Sequence, residues 1–234
     1  FVAQSTMNSY APLESRDNFA VIPNALNLNR FPSSEEDGRS LSREKLNISK
    51  TDKVILCVGT LCRRKAQMDL VKAFEKLPIE LLNSTTLLLA GESVGKYGQL
   101  IERKIEQIPS LKERTRLLAP NENPHHFYQA ADLYVCCSES ESYPRTVLEA
   151  MLFGLPILAT PTYGVREQVR EGYNARFFEF GNLEKLGDNL CNMLENNDLL
   201  VEMGANSRKM LGSLDTIDEM LDGYEDHFLS AAIR

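Results

Sequence analysis

Six short apolar runs recur from residue 39 onward: VILCV (54–58), TLLLA (86–90), TRLLA (115–119), LYVCC (133–137), ILA (157–159) and ARFFEF (175–180). Their length and their branched or aromatic content read as buried strands. Polar stretches with helical spacing separate them. Leu70, Val71, Phe74 and Leu77 share one side of a helix expected over about 67–77, and a second helix is expected over about 99–108. NPHHFYQAAD offers Asn123 as a cap with Pro124 as the first helical residue, and LEAMLFG reads as a short helix closed by Gly154. Short strands spaced by helices predict an α/β fold with a doubly wound, Rossmann-like parallel sheet, because right-handed crossovers place helices on both faces. Ligands of such sheets bind at the carboxyl ends of the strands, here the loops 59–66, 91–95, 120–123 and 138–145.

The flanks read differently. VIPNALNLNRFPSSEEDG (21–38) is loop-rich and reads as a connector. A last helix, expected over about 216–228, carries Ile217, Met220, Leu221, Tyr224 and Phe228 on one stripe, suited either to this core or to a neighbour.

Composition narrows the partners. With 234 residues, 43% hydrophobic and 25% charged, the chain can bury a substantial core. A net charge of -7 argues against nucleic-acid or general anionic-membrane binding, while a local basic cluster can still take a small anion. No apolar stretch approaches the span of a bilayer. The opening FVAQSTMNSY has neither an initiator methionine nor a basic-then-apolar leader, which reads as a fragment or a processed chain. Five cysteines (Cys57, Cys62, Cys136, Cys137, Cys191) read as free thiols in a reducing cytoplasm. No C-x-x-C pair exists, and the adjacent His125 and His126 point to different helix faces, so no metal site is expected.

Three segments carry candidate chemistry. VGTLCRRKAQ places Arg63, Arg64 and Lys65 after a strand and before a helix, with Gly59 allowing a tight turn. This suits a diphosphate clamp, although such clusters are more often solvated charge runs. AGESVGKYG is one residue short of a P-loop and has Tyr97 where a magnesium-holding hydroxyl belongs, which excludes an ATPase reading. In SESESYPRTVLEAM, Pro144 suits the first helical turn, leaving the amides of Arg145, Thr146 and Val147 to face an anion. Glu141 and Glu149 flank that point. A glycosidase pair is disfavoured, because the helix terminus would keep Glu141 ionised; permanent carboxylates suit sugar hydroxyls better. The plain alternative is a pair of surface residues.

The E-x7-E pattern of Glu141 and Glu149 within ESYPRTVLEAMLFGLPILAT resembles the donor-site signature of retaining glycosyltransferases of the GT-B fold, family four. VIPNALNLNRF is similar to that family's interdomain segment, VGTLCRRK to its phosphate loop, LLLAGES to its second glycine loop, and TYGVREQVREGYNARFF to its G-x-x-E segment. The resemblance implies three parts: residues 1–38 as linker and end of a preceding acceptor domain, 39–211 as the nucleotide-sugar-binding domain, and 212–234 as a helix crossing back to that other domain.

The resemblance also implies roles. Lys65 and Arg64 would neutralise a donor diphosphate of UDP or GDP type beside Gly59, supported by the amides near Thr146 and Val147. Glu149 would hold the ribose, and Leu118 in the loop 118–120 would face the base. Glu141 with the backbone of Ser142 and Tyr143 would hold the transferred sugar, so that replacing Glu141 should leave nucleoside diphosphate affinity nearly unchanged. Lys65, Arg64 and Glu141 would thus be the catalytic set, with no metal or cofactor implied. The acceptor, a sugar or lipid-linked glycan, would lie on the other domain, the full-length enzyme would be cytoplasmic and could be peripheral at the inner membrane face, and the last helix could also mediate self-association. Thr60, Ala25, Asn27, Ser142 and Pro144 depart from the family pattern. A nucleotide-sugar epimerase or sugar phosphorylase of the same fold, or a non-catalytic binding module, are the alternatives.

Overall fold

The computed structural model describes residues 1–10, 19–31, 38–121 and 124–232. Its six strands are β1 (Lys53–Val58), β2 (Thr85–Ala90), β3 (Thr115–Leu118), β4 (Leu133–Cys136), β5 (Ile157–Ala159) and β6 (Ala175–Phe177). The helices are α1 (Gln4–Asn8), α2 (Gly38–Lys45), α3 (Gln67–Glu75), α4 (Ile79–Asn83), α5 (Gly95–Gln107) and α6 (Pro109–Arg114). They continue as α7 (His125–Ala130), α8 (Arg145–Leu152), α9 (Val165–Gln168), α10 (Leu183–Glu195), α11 (Asn197–Leu211) and α12 (Ile217–Ala232).

All strand pairs are parallel and the sheet order is β3-β2-β1-β4-β5-β6. The doubly wound Rossmann-like sheet expected from the sequence is therefore present, with its order reversing between β1 and β4. The two-residue period of each strand divides the core. Ile55, Leu87, Leu89 and Val135 pack with Leu70 and Phe74 of α3, Ile101 of α5 and Leu190 of α10. Val54, Leu56, Leu88 and Tyr134 pack on the opposite face with Tyr128 of α7 and Val147 and Met151 of α8.

Element ends shift where glycine and proline act. α5 begins at Gly95 rather than near residue 99, because the last four residues of the glycine-bearing segment AGESVGKYG wind into the helix. Pro124 and Pro144 are caps, each one position before its helix. Asn123, the expected cap of α7, lies outside the described residues. Gly154 ends α8 at φ +69, a left-handed conformation that glycine adopts without strain.

The flanking segments pack on the domain. Ala3 is fully buried and clusters with Leu26, Tyr143 and Leu148. Glu167 of α9 accepts from the amides of Gln4 (3.0 Å) and Ser5 (2.8 Å), capping α1 across the chain. On α12 the expected stripe divides: Met220 reaches the connector, with the Ala25 amide 3.4 Å from its sulfur, whereas Leu221, Tyr224 and Phe228 are exposed. Gly223 instead faces Ile22. Among the described residues no helix is long and apolar enough to cross a membrane.

One buried ion pair ties α2, α7 and β1 together. Arg43 is 3% exposed; its Nη2 donates to Asp132 (2.8 Å), its Nε to the Ala130 carbonyl (3.1 Å) and its Nη1 to the Asp52 carbonyl (2.9 Å). Asp132 also accepts from the Val54 amide at 2.8 Å. Removing the guanidinium leaves several carbonyls unpaired and Asp132 with only the half-exposed Arg39 (2.6 Å) and the Val54 amide as partners, so Arg43→Leu should destabilise the fold by about 3 kcal/mol. Chemical denaturation checks this, and a loss below about 1 kcal/mol would show that the network contributes little.

Candidate functional site

The site forms where the sheet reverses. Successive crossovers leave β1 and β4 in opposite directions, so the loops that follow these neighbouring strands diverge and leave a crevice at their carboxyl ends. After β1 the chain passes Gly59 (φ +146), whose amide donates to the Ala90 carbonyl (2.9 Å), and Leu61, whose amide donates to the Glu92 carbonyl (2.8 Å). The next loop runs so close that a Cβ on Gly91 would lie 2.2 Å from the Gly59 oxygen. A 3-10 turn over Arg63–Lys65 then presents the three cations.

After β4, loop 138–144 comes back against this turn. The Glu139 amide donates to the Arg64 carbonyl (2.8 Å), and Arg64 Nη1 donates to the Ser140 carbonyl (2.6 Å). Lys65 Nζ donates to Glu141 Oε1, and Arg64 Nη1 lies 3.4 Å from the same oxygen. Glu141 is only 8% exposed, so these two cations compensate a largely desolvated charge. Two of the sequence-predicted cations and one predicted carboxylate thus form a single cluster. Arg63 is exposed and Arg64 half-exposed.

Three other elements hold the same loop. Thr160 Oγ1 donates to the Ser138 carbonyl (2.5 Å), Gln168 Nε2 to the Pro144 carbonyl (3.0 Å), and Asn24 Nδ2 of the connector to the Tyr143 carbonyl (2.8 Å). Gly164 lies under Ser142 so closely that a Cβ there would meet the Ser142 oxygen at 1.6 Å. Ser142 is itself exposed, while the Tyr143 ring is buried and its hydroxyl is pushed up to about 12 by that burial.

α8 places the second carboxylate. Because Pro144 stands before the helix, its carbonyl takes the first bond, from the Val147 amide (3.2 Å). The Val147 amide, which the sequence reading leaves free for an anion, is therefore engaged. Those of Arg145 and Thr146 precede the first intrahelical partner. One turn on, Glu149 accepts from the Tyr128 hydroxyl at 2.6 Å. It lines a cleft of about 420 Å³ with Asn24, Arg30, Asn121, His125, Arg145 and Met220. Burial pushes the Glu149 carboxyl above its ordinary range, against the opposing pull of the Tyr128 hydrogen bond, Arg145 and Arg30. Its charge is thus harder to maintain than the sequence suggested. Leu118 ends the edge strand β3, where its carbonyl accepts from Gly91 (2.9 Å); Asn121, three residues on, reaches the cleft.

The family described as Glycosyl transferases group 1 matches residues 38–210. The chain belongs to this family. Among its relatives is the N-acetyl-alpha-D-glucosaminyl L-malate synthase of Bacillus anthracis, 25% identical over 183 residues that make up 78% of this chain and 47% of that protein. The D-inositol 3-phosphate glycosyltransferase of Corynebacterium jeikeium (strain K411) is 29% identical over 189 residues, 79% of this chain and 45% of that protein. The chain spans about half the length of the curated relatives it matches. The crystal structure of Anabaena HepE in complex with UDP-glucose has a TM-score of 0.86 at 21% identity, covering 98% of this chain and 62% of that one. WaaG, a glycosyltransferase involved in lipopolysaccharide biosynthesis, has a TM-score of 0.78 at 21% identity, covering 88% of this chain and 55% of that one. The fold of this group 1 chain thus matches that of the covered part of these GT-B glycosyltransferases.

Sequence reasoning left Asn24, Tyr128, Thr160, Gly164 and Gln168 without a role. Asn24 lies in the segment similar to the family's interdomain connector, and Gly164 and Gln168 in the one similar to its G-x-x-E segment, but neither likeness showed what they touch; Glu167 of the latter caps α1.

Because the folded state raises the Glu149 pKa, ionising this group opposes folding: stability is full below the ordinary glutamate pKa and falls as pH rises through the raised one. Glu149→Gln should therefore be more stable than wild type at pH 7, with the difference vanishing in acid below the ordinary glutamate range. Denaturation midpoints of both forms across pH test this, and a variant less stable at neutral pH contradicts it.

Proposed function

We propose that this chain is the nucleotide-sugar-binding half of a retaining glycosyltransferase, which moves a sugar from a nucleoside diphosphate donor to an acceptor hydroxyl with its anomeric configuration kept. The observation that carries this reading is the convergence of Lys65, Arg64 and the start of α8 at the reversal between β1 and β4. Two cations and a helix amino terminus suit the charge that develops on a departing diphosphate, the main electrostatic demand of such a transfer. In this reading Glu149, held by Tyr128 in the cleft wall, accepts from the ribose hydroxyls and Glu141 from the sugar.

Family membership supports transfer of a glycosyl group, and the UDP-glucose bound by the similarly folded HepE supports a UDP-type donor. The acceptor site and full turnover belong to a larger protein in this reading, since the matched segments make up only 47% and 45% of the relatives.

Calorimetric titration of the 234-residue chain with UDP and GDP tests the reading. One of the two should bind. Lys65→Ala should weaken it by about 1.5–3 kcal/mol, roughly one to two decades, because a charge-assisted contact is lost. Unchanged affinity in that variant would remove Lys65 from the donor site.

A further inference from the structure

Glu141 does more in this structure than stand ready for a sugar. Its Oε1 accepts from Lys65 and lies 3.4 Å from Arg64 Nη1, so the carboxylate occupies the two cations assigned above to the diphosphate. The contact joins residues 76 positions apart and spans the loops after β1 and β4. Resting on the donor-binding reading, we propose that Glu141 is an internal competitor of the diphosphate for Lys65 and Arg64, and that it thereby selects the sugar-bearing donor over the sugar-free product.

A phosphate oxygen that recruits Lys65 must take it from Glu141. At 8% exposure the released carboxylate has little water to turn to, and an ionised carboxylate can only accept hydrogen bonds. Sugar hydroxyls of an intact donor supply the missing donors. A sugar-free nucleoside diphosphate supplies none, so its binding bears the whole loss of the ion pair. Once the sugar has left, Glu141 regains Lys65 as the diphosphate departs, which speeds release. The loop itself does not depend on this charge: Thr160 on the Ser138 carbonyl, Asn24 on the Tyr143 carbonyl and Gln168 on the Pro144 carbonyl hold it independently of both cations. The sequence reading, in which Glu141 touches only the sugar, expects its removal to leave nucleoside diphosphate affinity nearly unchanged; the ion pair expects that affinity to rise.

The test titrates the wild-type chain, Glu141→Gln and Glu141→Ala with UDP, GDP and the glucose esters of both. Both variants should bind the preferred nucleoside diphosphate about tenfold more tightly than wild type, and their preference for the glucose ester should fall by at least about tenfold. In wild type, stopped-flow dissociation of the nucleoside diphosphate should be faster than that of its glucose ester, a measurement that needs no variant. Unchanged or weaker nucleoside diphosphate binding in both variants, or equal dissociation rates in wild type, overturns the competitor role while leaving the donor-binding reading intact. Failure of every form to bind any of these nucleotides overturns both.

Discussion

The reversal of strand order between β1 and β4 is the constraint on which the site depends. Right-handed crossovers carry the chain outward in both directions from these two strands, so their loops cannot be covered by a connecting helix. Gly59, Lys65, Glu141 and the start of α8 all lie on those two loops. None would converge if the chain wound in one direction only.

The open crevice leaves the backbone of loop 138–144 to be held by contacts from other elements. The turn after β1, the segment after β5 and the connector each supply hydrogen bonds to its carbonyls. Its own residues carry little apolar anchoring beyond the Tyr143 ring, which packs with Ala3 and Leu148. Two carboxylates are held with limited water around them, one compensated by cations and the other by a tyrosine hydroxyl and more distant arginines. Packing alone would favour apolar groups at both positions, so the arrangement sacrifices some stability for polarity at the crevice.

The sheet was legible because each strand is a short apolar run and the chain alternates strand with helix; ILA coincides with β5 at both ends. The division of each strand's side chains between two cores follows from the same periodicity. Helix starts were less legible. Pro144 and Pro124 fit a cap as well as a first helical position, and a shift of one residue decided that the Val147 amide bonds within the chain. The resemblance marked Lys65, Arg64, Glu141 and Glu149 individually. It could not show that Lys65 and Glu141 face each other, since the pair has no local signature. Asn24 on Tyr143, across 119 residues, is a contact of the same kind, and so is the close approach of Gly164 to Ser142. On α12, spacing identified an apolar stripe without fixing which edge of it turns inward, and Gly223, absent from that stripe, meets Ile22.

The many-sided support of loop 138–144 bears on how the sequence tolerates change. Asn24, Arg64, Thr160 and Gln168 belong to separate elements yet share one short backbone segment as their target. Groups that share a target are not independent: with one contact gone the others still hold the loop, and with two gone it can relax. Replacements at these positions therefore carry epistasis, mild singly and more than additive in pairs. An apparently neutral change in the connector can thus alter what β5's loop will tolerate, although the two segments lie more than a hundred residues apart in sequence.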